Sequence, residues 1–138
     1  MRWQNIACIF LYITHTYSPT AFAQAPANEE QLCLAGSATH CHDFALSLAE
    51  TTPPDYTRAA FFYQKACDPK YQGSCLNLAN LYRNGNGVAK NAQKAKTLYE
   101  QVCRHNEALG CSLLAREYLE AKTENSVGQA IELVEPFA

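Results

Sequence analysis

Sulfur is the most reactive element in this chain, and it is laid out in register. Six of the seven cysteines form three C-x7-C pairs: Cys33 with Cys41, Cys67 with Cys75, and Cys103 with Cys111. The pairs recur at steps of 34 and then 36 residues. Cysteines so arranged can bond to each other or hold a metal. Structural zinc ligands usually come as closely spaced C-x2-C or H-x3-H pairs, so the wider spacing favours disulfides over zinc.

Other reactive side chains do not assemble into a reaction centre. No serine has a lysine three residues later, so the activated S-x-x-K nucleophile is missing. His40-Cys41-His42-Asp43 superficially resembles an H-x-H-x-D metal motif, but Asp43 falls one place early and only His105 remains downstream. The plainer reading is a polar helix start, with Asp43 near the positive helix end. No catalytic residue, metal ligand or cofactor site is therefore assigned.

Binding chemistry has a better basis. Asn77, Asn80 and Asn84 fall at i, i+3 and i+7, with Arg83 alongside and Arg116 at the place corresponding to Asn80 one repeat later. Asparagine amides can hydrogen-bond an extended peptide without reading its sequence, and arginine can grip a carboxylate in two places. These five residues are the candidate partner-binding set. A merely solvated helix face would carry the same residues.

Residues 1–23 read as a secretory signal peptide. Met1-Arg2 supplies a positive start, Ile6 to Ile13 is an apolar core too short to cross a bilayer, and Ala21-Phe22-Ala23 is an A-x-A cleavage signal. Residues 24–30 are expected to form a flexible mature N-terminus. No stretch able to span a membrane remains after the leader. Its removal also takes away Cys8, leaving six cysteines for an oxidising compartment, periplasmic or extracellular. A mitochondrial intermembrane-space protein is disfavoured, because the leader is not an Arg-rich amphipathic presequence. The chain has 11 basic and 13 acidic side chains with no basic run, which argues against nucleic acid as a partner.

These residues must be positioned by a repeat. Cys41-His-Asp-Phe-Ala45 matches Cys75-Leu-Asn-Leu-Ala79 and Cys111-Ser-Leu-Leu-Ala115. The recurring large-then-small pair lets two helices approach closely. Asp55-Tyr-Thr-Arg-Ala59 matches Asn91-Ala-Gln-Lys-Ala95 and, one residue short, Ser126-Val-Gly-Gln-Ala130. Asp, Asn and Ser are good N-cap residues, so each tetrapeptide is expected to start a second helix.

Every unit therefore reads as helix A, turn, helix B, a periodicity typical of stacked helical hairpins. In the middle unit helix A is expected over about 74–83 and helix B over about 91–102. Ala92, Ala95, Leu98, Tyr99 and Val102 form its amphipathic stripe. Gly85 and Gly87 supply the turn. The first unit turns instead on Pro53-Pro54, and the third has neither device. Cys67 would end one helix B and Cys75 begin the next helix A, so their bond would staple consecutive units. Each such bond restricts the unfolded chain by about 2–3 kcal/mol.

The middle unit carries a family resemblance. Tyr63-Gln-Lys-Ala-Cys67, Gly73-Ser-Cys75-Leu-Asn-Leu-Ala79-Asn-Leu-Tyr82 and Gly85-Asn-Gly87-Val88 resemble the Sel-one-like repeat, a relative of the tetratricopeptide repeat. The chain is similar more narrowly to secreted bacterial cysteine-rich proteins in which a C-x7-C disulfide closes every repeat. The resemblance covers residues 31–138, divided at about 31–66, 67–102 and 103–138. It implies an all-α, right-handed superhelix of about three disulfide-stapled repeats, whose helix A lines a concave side. It also implies a scaffold for a protein or peptide partner, for example a periplasmic immunity or accessory protein. Some relatives are labelled β-lactamases or penicillin-binding proteins, so a hydrolase is the competing class, although no matching catalytic motif is present here.

The chain stops at Ala138, where the repeat would place its next cysteine, so the last helix is expected to serve as its own cap. From Ser126 that helix shows Val127, Ala130, Ile131, Leu133, Val134 and Phe137. Terminal repeats normally need a polar outer face. Docking on a partner, or self-association through this helix, is the corresponding expectation.

Overall fold

The computed structural model describes residues 28–68, 71–105, 107–121 and 124–137. The expected leader and residues 24–27 lie outside them. The described residues form seven α-helices and no strand: α1 (Glu29–Leu34), α2 (Ala38–Ala49), α3 (Tyr56–Cys67), α4 (Gln72–Asn84), α5 (Ala92–Cys103), α6 (Ala108–Glu120) and α7 (Glu124–Val134). A 3-10 turn, Glu135–Phe137, follows α7. Each helix packs on its neighbours in the chain, giving a helical solenoid of three A–B hairpins preceded by the half-unit α1.

Helix starts follow from side-chain oxygens. Asp55 accepts from the Arg58 N–H to cap α3, and Asn91 accepts from the Lys94 N–H to cap α5. Each satisfies a backbone donor that has no partner within the helix. Two expectations need correction. Residues 28–30 are not a flexible lead-in: Asn28 caps α1 by accepting from the Gln31 N–H, and Glu30 pairs with Arg58 at 3.1 Å. Ser126 is not an N-cap, because α7 starts at Glu124. Ser126 shares one helix face with Ala130 and Leu133, and there it is buried, a small residue at a packing position.

The joints between units are covalent. Cys33–Cys41 links α1 to α2, Cys67–Cys75 links α3 to α4, and Cys103–Cys111 links α5 to α6, with Cα–Cα distances of 4.4, 4.8 and 4.5 Å. Helices α4 and α6 start without a side-chain cap. The bridge beside each start holds the first turn in place instead.

The A–B turn of the middle unit is fixed by two left-handed residues. Gly85 (φ +77°) ends α4 with its N–H on Leu81 O at 2.8 Å. At Gly87 (φ +67°) a Cβ would sit 2.3 Å from the Tyr56 carbonyl carbon. This turn therefore lies directly on the start of α3, in the preceding unit.

The core is continuous across the joints. Leu78 and Leu81 of α4 pack with Ala45, Leu48, Phe62 and Tyr63 of the first unit. Leu114 of α6 packs in the same way against Ala79, Ala95 and Tyr99 of the second. Small and large residues alternate at these contacts, which lets the helices approach closely at native packing density.

Candidate functional site

The candidate residues lie along α4 and α6, and some of them are already engaged between helices. Asn77 faces the hydroxyl of Tyr63 on α3. Asn80 Oδ1 accepts from the hydroxyl of Tyr99 on α5 at 2.6 Å, which leaves the amide NH2 for donation. Arg83 Nε donates to Glu117 Oε1 at 2.6 Å, and its terminal nitrogen donates to Glu120. Arg116 sits 3.9 Å from Glu120 and reaches solvent, as does Asn84. The five residues thus share one run of helix-A surface. Asn80 and Arg83 also brace the stack.

Burial sets the electrostatics. Enclosure of the Tyr63 ring raises its hydroxyl pKa above the ordinary tyrosine value, against the lowering effect of Asn77. Enclosure raises Tyr99 likewise, reinforced by the Glu117 carboxylate. Both phenols remain neutral through the physiological range. Partial burial opposes the charge on Arg83, yet Glu117 and Glu120 outweigh it and hold the guanidinium above its usual value. Beside this cluster lies an open cavity of about 350 Å³ lined by Arg83, Asn84, Lys90, Glu117 and Glu120. It offers two cations and two carboxylates to an incoming chain.

Sequence reasoning missed the two tyrosines. The signal was present, since Tyr63 and Tyr99 each stand four residues before the cysteine that ends their helix.

The histidine cluster is drawn apart. His40 Nδ1 lies 2.6 Å from Ser37 Oγ at the start of α2. His42 Nδ1 lies 2.8 Å from Ser74 Oγ on α4, with its ring centroid 4.8 Å from that of Tyr71 and 5.8 Å from that of Tyr63. Ser74 and His42 have the pairing of a nucleophile and base, but Ser74 is fully enclosed. Its bond to His42 joins α2 of the first unit to α4 of the second.

The Sel1 repeat family matches residues 44–68 and 73–106, the segments that form the first two A–B hairpins. The chain carries two Sel1 repeats. Solved structures agree on the fold. A protective antigen of uropathogenic Escherichia coli with an SLR fold superposes at a TM-score of 0.70 and 22% identity, over 76% of this chain and 23% of that one. A Sel1 repeat protein from Oxalobacter formigenes gives 0.65 and 16% identity, over 80% and 47%.

Among curated relatives, cytochrome c oxidase assembly factor 7 of Xenopus tropicalis is 35% identical over 83 residues, 56% of this chain. The putative beta-lactamase HcpC of Helicobacter pylori (strain J99) is 48% identical over 40 residues, 29% of this chain. The chain spans only 36% of the first relative's length and 14% of the second's. The β-lactamase label is a name on that relative, and the S-x-x-K motif is absent from this sequence. Sel1 repeats generally mediate protein interaction, and no helix among the described residues is long and apolar enough to cross a membrane.

Proposed function

We propose that this protein is a scaffold of an oxidising compartment, periplasmic or extracellular, which receives an extended segment of a partner protein along the helix-A surface of α4 and α6. The observation that carries the reading is the bracing of Asn80 and Arg83 by Tyr99, Glu117 and Glu120. Side chains held in advance lose little freedom when a partner arrives, which favours affinity. The Asn80 amide and the exposed Asn84 and Arg116 supply donors for peptide carbonyls and a partner carboxylate.

The role this surface supports is accessory: holding or covering another protein, as an immunity or assembly protein would. The frog relative, an assembly factor by name, supports the accessory class. Three disulfides support the compartment, because such bonds persist where the surroundings are oxidising.

The test is capture from the native secreted or periplasmic fraction, with partners identified by mass spectrometry. The double variant Asn84→Ala, Arg116→Ala spares the Asn80–Tyr99 bond, so its helicity should match the parent. Partner recovery should fall by about tenfold or more, the effect of removing donors near the centre of an interface. Equal recovery with both proteins would show that the partner binds elsewhere.

A further inference from the structure

The turn between α4 and α5 repeats one dipeptide. Asn84-Gly85-Asn86-Gly87 places asparagine before glycine twice in succession. That order carries its own chemistry. Once the glycine N–H loses its proton to solvent base, the nitrogen can bond to Cγ of the preceding asparagine, and ammonia leaves. Glycine has no side chain to obstruct the ring closure. Water then opens the cyclic imide. Attack at the side-chain carbonyl breaks the bond just formed and gives aspartate. Attack at the main-chain carbonyl breaks the original peptide bond and gives isoaspartate, whose backbone runs through the side-chain methylene and is longer by one atom.

The structure separates the two asparagines. Asn84 is the last residue of α4, and the Gly85 N–H is held by Leu81 O at 2.8 Å. Ring closure at Asn84 must first break that bond and open the end of the helix. Asn86 lies past the helix end. The nitrogen that attacks it, that of Gly87, is exposed and makes no hydrogen bond among the described residues. The Asn86 side-chain amide has no partner among them either.

This turn is also where an extra backbone atom does harm. The Asn86 N–H is tied to Leu81 O at 3.1 Å, and the Asn91 N–H to Tyr82 O at 2.8 Å. Between those ties Gly87 is seated so closely that a Cβ would fall 2.3 Å from the Tyr56 carbonyl carbon and 2.5 Å from the Thr57 nitrogen. A longer link between Asn86 and Gly87 cannot keep that seat. Tyr56 and Thr57 open α3, in the preceding unit.

We infer that Asn86 is a modification site, where spontaneous deamidation to isoaspartate loosens the joint between the first two repeats, while the helix protects Asn84. Water is the only reagent. The site does not depend on the partner-binding surface.

Ageing the oxidised protein in heavy-oxygen water, followed by peptide mapping, tests it. Each imide opened during ageing retains one heavy oxygen, so deamidation during handling is not counted. Asn86 should be labelled about fivefold or more faster than Asn84, the factor that one net hydrogen bond sets. Both rates should rise at mildly alkaline pH, and unfolding in urea should remove the difference. Methylation by protein isoaspartate methyltransferase should identify isoaspartate in the Asn86 peptide. The urea midpoint of the parent should fall with age, and that of Asn86→Gln, whose longer side chain cyclises far less readily, should not. Asn86→Asp adds the charge without the extra atom and should be more stable than the isoaspartate fraction isolated by chromatography. Equal or faster labelling at Asn84 in the folded protein would overturn the proposal. So would an unlabelled Asn86 over the time in which the urea-unfolded chain reacts, or an isoaspartate fraction as stable as Asn86→Asp.

Discussion

The Tyr99 hydroxyl donates to Asn80 Oδ1 at 2.6 Å while its own ring is completely enclosed, so one side chain supports the core and the helix-A surface together. Tyr63, one unit earlier, is buried in the same way but turns to Asn77 on the following unit's α4. Tyr99→Phe keeps the ring and removes the bond. Stability should fall by about 1 kcal/mol, measured by urea denaturation, as for a typical net hydrogen bond. Asn80→Leu in the same background should then cost little more, because the two residues share one interaction.

Alkaline pH should expose the same tyrosines. Burial raises both pKa values in the folded chain above the ordinary value near 10. Between neutral pH and about pH 10 both states keep these phenols protonated, and stability should be flat with respect to them. Above about 10 the unfolded chain releases its protons first, so stability falls as pH rises. Urea midpoints across that range should show the fall, and it should be smaller in Tyr99→Phe.

Replacing the turn glycines should separate strain from collision. Gly85→Ala must adopt φ +77°, with Lys90 Cβ at 3.1 Å as its nearest new neighbour, and should cost about 1–2 kcal/mol. Gly87→Ala adds a 2.3 Å overlap with the Tyr56 backbone, which cannot swing away as a flexible side chain can. Its cost should exceed that of Gly85→Ala by about 1 kcal/mol or more in thermal or chemical unfolding.

The central staple should dominate stability. Replacing Cys67 and Cys75 together by alanine should lower unfolding free energy by about 2–5 kcal/mol. A loss under about 0.5 kcal/mol would show that packing alone holds the joint. Alkylation of the denatured, unreduced protein should label none of the six bridged cysteines.

The joints and turns were legible because their causes are local. Asp55 and Asn91 cap the residues that follow them, Gly85 and Gly87 bend the chain where they stand, and the cysteines of each bridge are separated by 8 positions. Ser126 misled for the same reason. It has the chemistry of a cap, but in place it faces the core behind a helix that starts two residues sooner. The asparagines and Arg83 were recognised as one face, but not as braces. Glu117 and Glu120 lie 34 and 37 positions from Arg83, and only stacking brings them together. No periodicity within a single helix encodes that contact.

Sulfur chemistry at the hinges also sets how the chain can mature. Six thiols admit many wrong combinations, but each native bridge joins the nearest partner along the chain and closes a short loop at low entropic cost. Oxidation can proceed hinge by hinge as the polypeptide emerges, each bond completed before the next pair arrives. Local closure of each bridge favours assembly in the manner of a zip fastener, one hinge after another.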